Sequence, residues 1–165
     1  MTWQMRRAGV DDLEAIMAIE RATFPTDAWA SSTMRAELAS VHSYYLVAEE
    51  PELPHRMAGY AGLRAPAGSA DAEIQTIAVV ESARGRGLGR ALLLALLAEA
   101  GRRAAEQVFL EVRDDNPVAQ ALYTSVGFEA IAVRPHYYQP DDVDAIIMRR
   151  PTPVAEIATA REVTP

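Results

Sequence analysis

A short segment that alternates glycine with arginine is the first candidate for chemistry in this chain. It is Arg84-Gly85-Arg86-Gly87-Leu88-Gly89, between an apolar, β-branched run at residues 73–80 and a run rich in leucine and alanine at residues 90–97. The first run is typical of a buried strand and the second of a helix. Glycines at such a junction leave main-chain N–H groups open to a ligand, and the positive end of the helix dipole attracts anions. The segment therefore predicts a site for phosphate oxygens.

Two common phosphate-binding motifs do not fit this segment. The P-loop motif needs a lysine, and all 16 basic residues of the chain are arginine. The dinucleotide motif needs a third glycine where this chain has Arg90. What remains is Arg-x-x-Gly-x-Gly, which fits a diphosphate but also fits an ordinary strand–helix turn with solvated arginines.

A carboxylate inside a second apolar strand is the next candidate. Residues 108–113 read Val-Phe-Leu-Glu-Val-Arg, and alternation places Phe109, Glu111 and Arg113 on one face of the strand. Burial of a carboxylate costs free energy unless the group is paired or has a chemical role. Glu111 is therefore either a functional group or the ion-pair partner of a neighbour such as Arg113.

A short helix is predicted directly after that strand. Asn116 suits the N-cap, Pro117 the first helical position and Gly127 the residue after the last turn, as the capping preferences of these residue types require. Tyr123 lies late in this helix. A tyrosine there is either a functional phenol or an ordinary core residue.

The elements that position these residues follow from periodicity along the whole chain. The pattern predicts strand, helix, helix, two or three strands, helix, strand, helix and strand, with a polar turn at residues 51–56. The helix that starts at residues 11–12 carries Leu13, Ile16, Met17 and Ile19–Glu20 at helical spacing. The two later strand–helix–strand passages predict locally parallel strands, and therefore a mixed sheet.

In this order the motifs resemble the GCN5-related N-acetyltransferases, and among them the bacterial ribosomal-protein-alanine (RimI-like) enzymes. The resemblance covers residues 4–150 and is carried by the segments at 84–89, 110–113, 116–128, 136–138 and 144–149. It implies an α/β (α+β) fold, with a central mixed, mostly antiparallel sheet of six to seven strands. About four helices flank that sheet, and two splayed strands form the acetyl-CoA cleft.

The resemblance implies direct transfer of an acetyl group from acetyl-CoA, the co-substrate, to an amine in a ternary complex. Glu111 would deprotonate the amine, directly or through a water, and Tyr123 would protonate the leaving thiolate. A backbone N–H near Val79 would stabilise the oxyanion. The residues implied to bind acetyl-CoA are Ile77, Ala78, Val79, Arg84, Gly85, Arg86, Gly87, Leu88, Gly89, Arg90, Asn116, Ala119 and Tyr123.

The acceptor that the resemblance implies is the N-terminal α-amino group of a protein, a small-subunit ribosomal protein that starts with alanine. The residues implied to hold it are Phe24, Trp29, Glu73, Tyr137 and Tyr138, and Glu73 is also a competing base. The chain departs from the family pattern because Thr26-Asp27-Ala28 separates Phe24-Pro25 from the tryptophan. A small amine, polyamine or antibiotic as acceptor, and a non-catalytic module that binds acetyl-CoA, are the alternatives.

Composition limits the other possibilities. A chain of 165 residues fits one domain, predicted at residues 1–150, and the prolines of residues 151–165 predict a flexible tail. A net charge of −7 argues against a nucleic-acid partner. The chain has no cysteine and three scattered histidines, so we expect no metal site. It shows neither a membrane-spanning run nor a signal-peptide pattern, so we expect a cytoplasmic protein. The sequence leaves the oligomeric state open.

Overall fold

The elements of the fold follow the predicted order with one more strand near the end. The computed structural model describes residues 3–152, without the side chains of residues 54 and 55. The strands are β1 (Gln4–Arg7), β2 (Ser43–Glu50), β3 (Leu53–Arg64), β4 (Asp71–Val79), β5 (Gln107–Arg113), β6 (Glu129–Tyr138) and β7 (Val143–Pro151). The helices are α1 (Leu13–Thr23), α2 (Ser31–Ala39), α3 (Leu88–Arg102) and α4 (Pro117–Ser125), with short 3-10 turns at Val10–Asp12 and Glu81–Ala83.

Two expectations change at the ends of strands. The predicted polar turn at residues 51–56 is shorter than expected, because β3 begins at Leu53, which already pairs with Glu50. The last strand reaches Pro151, one residue beyond the predicted end of the domain, and pairs there with Gln107. Residues 153–165 of the predicted tail lie outside the described residues.

All seven strands form one sheet in the order β1-β2-β3-β4-β5-β7-β6. The neighbours β4 and β5 are parallel and joined through α3, whereas all other neighbours are antiparallel. The predicted mixed sheet and the first parallel passage are therefore confirmed. The expectation of a second parallel pair is wrong, because β7 lies between β5 and β6 and pairs with both.

The parallel pair β4–β5 separates after four residues. It pairs from Asp71 with Gln107 to Ile74 with Leu110, and no further. At the same point the β3–β4 ladder passes from Ile74 to Thr76, which leaves Gln75 as a bulged residue. A bulge bends its strand, so the second half of β4 turns away from β5. The result is the splay that the resemblance implies.

The two faces of the sheet carry separate apolar layers. One layer is built on α3, whose buried leucines pack over β2 to β5; the other is built on α1 and α2, whose buried residues pack on Val47, Tyr60 and Ala78. The stripe predicted for α1, Leu13 to Glu20, is the buried face of that helix. In the described part of the chain, no helix is long and apolar enough to cross a membrane.

Candidate active site

The glycine-rich segment forms the N-terminus of α3. Gly85 and Gly87 have φ angles of 74° and 81°, a conformation that glycine adopts without strain. The first bond of the helix runs from the N–H of Ala91 to the Gly87 oxygen, at 3.0 Å. The main-chain N–H groups of Gly85 and of residues 87–90 donate to no other described residue. These groups and the open space above both glycines, where an added Cβ would meet nothing within 4 Å, suit an anion.

The arginines of the segment are engaged by other parts of the protein. The Nε of Arg84 donates to the Val79 oxygen at 3.0 Å, and Arg86 lies 3.6 Å from a carboxylate oxygen of Glu50. The Nη1 of Arg90 donates to the Ser125 hydroxyl at 3.1 Å and so ties α3 to α4. An anion bound at this segment would therefore contact main-chain groups, and Arg84 and Arg86 would have to turn to reach a phosphate.

The exposed edge of β4 faces the splay. The N–H of Val80 donates to Ala58 at 2.8 Å, so by alternation Ala78 also directs its main-chain groups to β3. Ile77 and Val79 then direct theirs to the opposite side, where β5 has separated from β4. The predicted Ala78 thus differs from its neighbours: its main chain pairs within the sheet, and its side chain is only 2% exposed.

The splay opens into a cavity of about 670 Å³. Ten predicted site residues line it: Phe24, Trp29, Glu73, Ile77, Glu111, Asn116, Ala119, Tyr123, Tyr137 and Tyr138. The predicted residues Ala78 and Val79, together with the loop from Arg84 to Arg90, do not line it. The cavity therefore holds the predicted acid, base and acceptor residues, whereas the segment predicted to bind the anion lies outside it.

Glu111 faces the cavity from the middle of β5. Its Oε1 lies 3.1 Å from Nη1 of Arg134, a residue of β6 whose side chain is 54% exposed. The proximity of this carboxylate raises the pKa of the Tyr137 phenol above its usual range. The alternative pairing of Glu111 with Arg113 is not what the structure shows, because Arg113 pairs with aspartates instead. Glu111 is thus paired with an exposed arginine, Arg134, which a cationic acceptor could replace.

Glu73 is the second carboxylate at the cavity. The residue is exposed overall, but its carboxyl group lies in the wall of the cavity. Partial burial, followed by the negative charge of Glu111, raises the pKa of Glu73 above its usual range. Among the described residues it has neither a hydrogen bond nor an ion pair. It therefore remains a competing base.

Tyr123 reaches the cavity from α4. The predicted cap of that helix is present, because the side-chain oxygen of Asn116 accepts from the N–H of Ala119 at 3.1 Å. The Tyr123 ring packs edge-on against Phe128, with centroids 6.0 Å apart. Burial raises the pKa of Tyr123 to about 12. The phenol is therefore protonated at neutral pH.

A buried glutamate that the sequence did not mark as a site residue anchors the cavity wall. Glu20 is 1% exposed and accepts from the N–H of Trp29 at 3.0 Å, from the Thr76 hydroxyl at 3.5 Å and from the Tyr60 hydroxyl. These bonds fix the loop after α1 against β3 and β4. The sequence contained one sign of this role: Glu20 is an acidic residue on the apolar stripe of α1, and a buried carboxylate needs hydrogen-bond partners.

Similarity to known proteins agrees with this geometry. The profile of the acetyltransferase (GNAT) family matches residues 13–128. The chain belongs to the GNAT family. It is thus an acetyl-CoA-dependent N-acetyltransferase, which confirms the family, the fold and the enzyme class expected from the sequence. In the described part of the chain, no group of three histidines, aspartates or glutamates could hold a metal ion.

Three known proteins illustrate the relationship. N-alpha-acetyltransferase RimI of Mycobacterium tuberculosis is 41% identical over 128 residues, which cover 75% of this chain and 76% of that protein. An uncharacterized protein of Mycobacterium leprae is 40% identical over 142 residues, 84% of this chain but only 38% of that longer protein. The crystal structure of the Escherichia coli ribosomal-protein-S18-alanine N-acetyltransferase has a TM-score of 0.78 at 29% identity, covering 92% and 94% of the two chains.

The open space above Gly87 generates the first prediction. Gly87→Val should weaken CoA binding roughly tenfold or more, because the new side chain would fill the space over the free N–H groups. Valine is also strained at this φ, so Gly68→Val is the matched control: Gly68 has the same φ of 81° and equally open surroundings, but lies in the β3–β4 loop. Calorimetric titration with CoA measures the effect. Equal affinities of the two variants would contradict the anion site.

The electrostatic interaction between Glu73 and Glu111 generates the second prediction. Glu111→Gln removes a negative charge that raises the pKa of Glu73, so the pKa of Glu73 should fall toward its usual value. It should fall only part of the way, because burial is the larger cause and persists. Carboxyl ¹³C NMR titration measures this, with the exposed, distant Glu14→Gln as control. An unchanged pKa would mean that the two groups do not share one electrostatic environment.

Proposed function

We propose that this enzyme acetylates the N-terminal α-amino group of a protein, a small-subunit ribosomal protein that starts with alanine. The observation that carries the proposal is a single cavity that brings together Glu111 and a partly buried phenol, Tyr123, where β4 and β5 diverge. The M. tuberculosis relative is an N-alpha-acetyltransferase and the E. coli relative is a ribosomal-protein-S18-alanine N-acetyltransferase, and both support an N-terminal amine as the acceptor.

The residues present fit acetyl-CoA. Its diphosphate would lie on the N–H groups at the start of α3, where the glycines leave space and the helix dipole is favourable. Its pantetheine amides would pair with the main-chain groups of Ile77 and with the N–H of Val79, which face the splay; the Val79 oxygen already accepts from Arg84. Asn116 and Ala119 would line the other side of the arm. Bound in this way, acetyl-CoA supplies the thioester whose acetyl group is transferred.

Two proton movements follow from the positions of the side chains. A free α-amino group has a pKa near 8 and must lose a proton before it attacks the thioester carbonyl. The Glu111 carboxylate takes that proton, directly or through a water, once the amine has displaced Arg134. An N–H near Val79 stabilises the negative oxygen of the tetrahedral intermediate. As the carbon–sulfur bond breaks, the Tyr123 phenol gives its proton to the thiolate.

A panel of peptides tests the acceptor. The peptides are identical except for the first residue, and one alanine peptide has a blocked amine. We expect thiol release and a mass increase of one acetyl group with the free alanine peptide, and neither with the blocked one. Release only with small amines, polyamines or antibiotics would contradict the proposed acceptor. CoA binding without release on any acceptor would favour the non-catalytic module instead.

The two catalytic roles predict a further result. Glu111→Gln and Tyr123→Phe should each lower kcat by roughly 10²–10⁴, because each removes one proton-transfer group. Stopped assays at saturating substrate measure kcat, and circular dichroism checks that each variant is folded. Glu73→Gln is the informative comparison: a loss as large as that of Glu111→Gln would move the role of base to Glu73. Activity of either catalytic variant within a few-fold of wild type would refute its role.

A further inference from the structure

Two loops form the wall of the cavity opposite the splay. The first, residues 24–30, joins α1 to α2, and the second, residues 139–142, joins β6 to β7. They meet where the Thr26 hydroxyl donates to Asp141 at 2.5 Å. Thr26 belongs to the three-residue segment by which the first loop departs from the family pattern. This segment therefore makes a direct contact between the two loops.

The guanidinium of Arg113 also contacts both loops. Arg113 ends β5, and its Nη1 lies 3.5 Å from Asp27 of the first loop while its Nη2 lies 3.2 Å from Asp141 of the second. Asp115 holds the guanidinium through two bonds, at 2.9 and 3.0 Å. The Tyr138 ring lies under it, with 5.2 Å from the guanidinium carbon to the ring centroid. Arg113 therefore contacts both loops and a predicted acceptor residue.

The negative charges around Arg113 require a cation at this position if the two loops are to stay together. Three carboxylates, those of Asp27, Asp115 and Asp141, surround one cation whose side chain is only 18% exposed. Without the cation, the two loop carboxylates would repel each other in a partly buried setting, where screening by water is weak. Asp27 and Asp141 would then move apart, and the loops with them.

We propose that Arg113 is a positioning residue that couples the two loops and sets the width of the acceptor end of the cavity. Its two loop partners, Asp27 and Asp141, lie at the acceptor end, whereas the segment predicted to bind the anion lies at the start of α3. Arg113 works through Asp27, Asp141 and Tyr138 rather than on the reacting atoms. The inference rests on the proposed function, since it assumes an acceptor in this cavity.

Steady-state kinetics with the best acceptor of the peptide panel tests the coupling. Arg113→Ala should raise the KM for the acceptor roughly tenfold, because misplaced walls weaken acceptor binding, while the KM for acetyl-CoA and kcat stay within a few-fold. Arg102→Ala is the matched control, because it also removes an arginine paired with a carboxylate, Glu99 at 2.8 Å, but on α3 outside the cavity. Arg113→Lys should restore part of the lost acceptor binding, since lysine keeps the positive charge but lacks the planar guanidinium that can bond two carboxylates at once.

A second variant separates coupling from general damage. Asp27→Asn should raise the acceptor KM by itself, and the double variant with Arg113→Ala should be no worse than the more damaged single variant, because both remove the same link. Amide hydrogen exchange should rise in residues 24–30 and 139–142 together in Arg113→Ala. If that variant does not fold, Asp27→Asn alone still has to show the KM effect and faster exchange in both loops.

Several results would overturn the coupling. They are an unchanged acceptor KM in Arg113→Ala, multiplying effects in the double variant, or faster exchange in only one loop. An equal rise in the KM for acetyl-CoA would also count against it, because it would indicate a general loss of structure. If wild-type protein releases no thiol with any acceptor, the proposed function fails instead, so the two failures are distinguishable.

Discussion

The divergence of β4 from β5 is the constraint on which the rest of the molecule depends. It begins at the bulged residue Gln75, whose side chain accepts a hydrogen bond from the Tyr45 hydroxyl at 2.8 Å. The Tyr45 ring passes over Gly62, where a Cβ would overlap it. Beyond the bulge, the main-chain groups of Ile77 and the N–H of Val79 face β5 past the last residue pair of the two strands, and they need another partner. A ligand with amide groups can supply that partner, so the same feature opens the cavity and prepares one wall of it.

The acidic residues of the cavity show how one environment supports different roles. Glu20 has three hydrogen bonds and no exposure, so it holds the structure together. Glu111 is paired with Arg134, whose side chain is exposed, so another cation could take its place. Glu73 has no hydrogen-bond or ion-pair partner among the residues that the structure describes, and the partial burial of its carboxyl group is the main reason why its pKa is raised. Position in the fold, rather than residue type, distinguishes the three.

The sequence predicted the parts of the site that depend on local patterns. The α3 start, the cap of α4 and the face of β5 that carries Glu111 each follow from a few adjacent residues, and the structure has all three. The partner of Glu111 could not be predicted in the same way. Arg134 reaches it from β6, across β7, and alternation within one strand contains no information about which strands become neighbours.

The same limit applies to the loops at the acceptor end. Asp27, Arg113 and Asp141 are far apart in the chain, and their meeting depends on the order of the last three strands. Sequence reasoning noted the unusual segment at residues 26–28 but could not assign it contacts. Glu20 was visible as an acid on an apolar stripe, yet its partners come from β3, β4 and a loop.

The bond between Arg90 and Ser125 has a consequence for the choice of acyl donor. It joins the first turn of α3 to the last turn of α4, and Leu122 of α4 lies within 3.5 Å of the position a side chain at Gly89 would take. These contacts hold the start of α3, where we propose that the diphosphate binds, at a fixed distance from the Tyr123 phenol, which we propose as the proton donor to the sulfur. A thioester on an arm shorter or longer than that of coenzyme A would place its sulfur away from the phenol. The enzyme should therefore discriminate among acyl carriers by the length of the arm between diphosphate and sulfur.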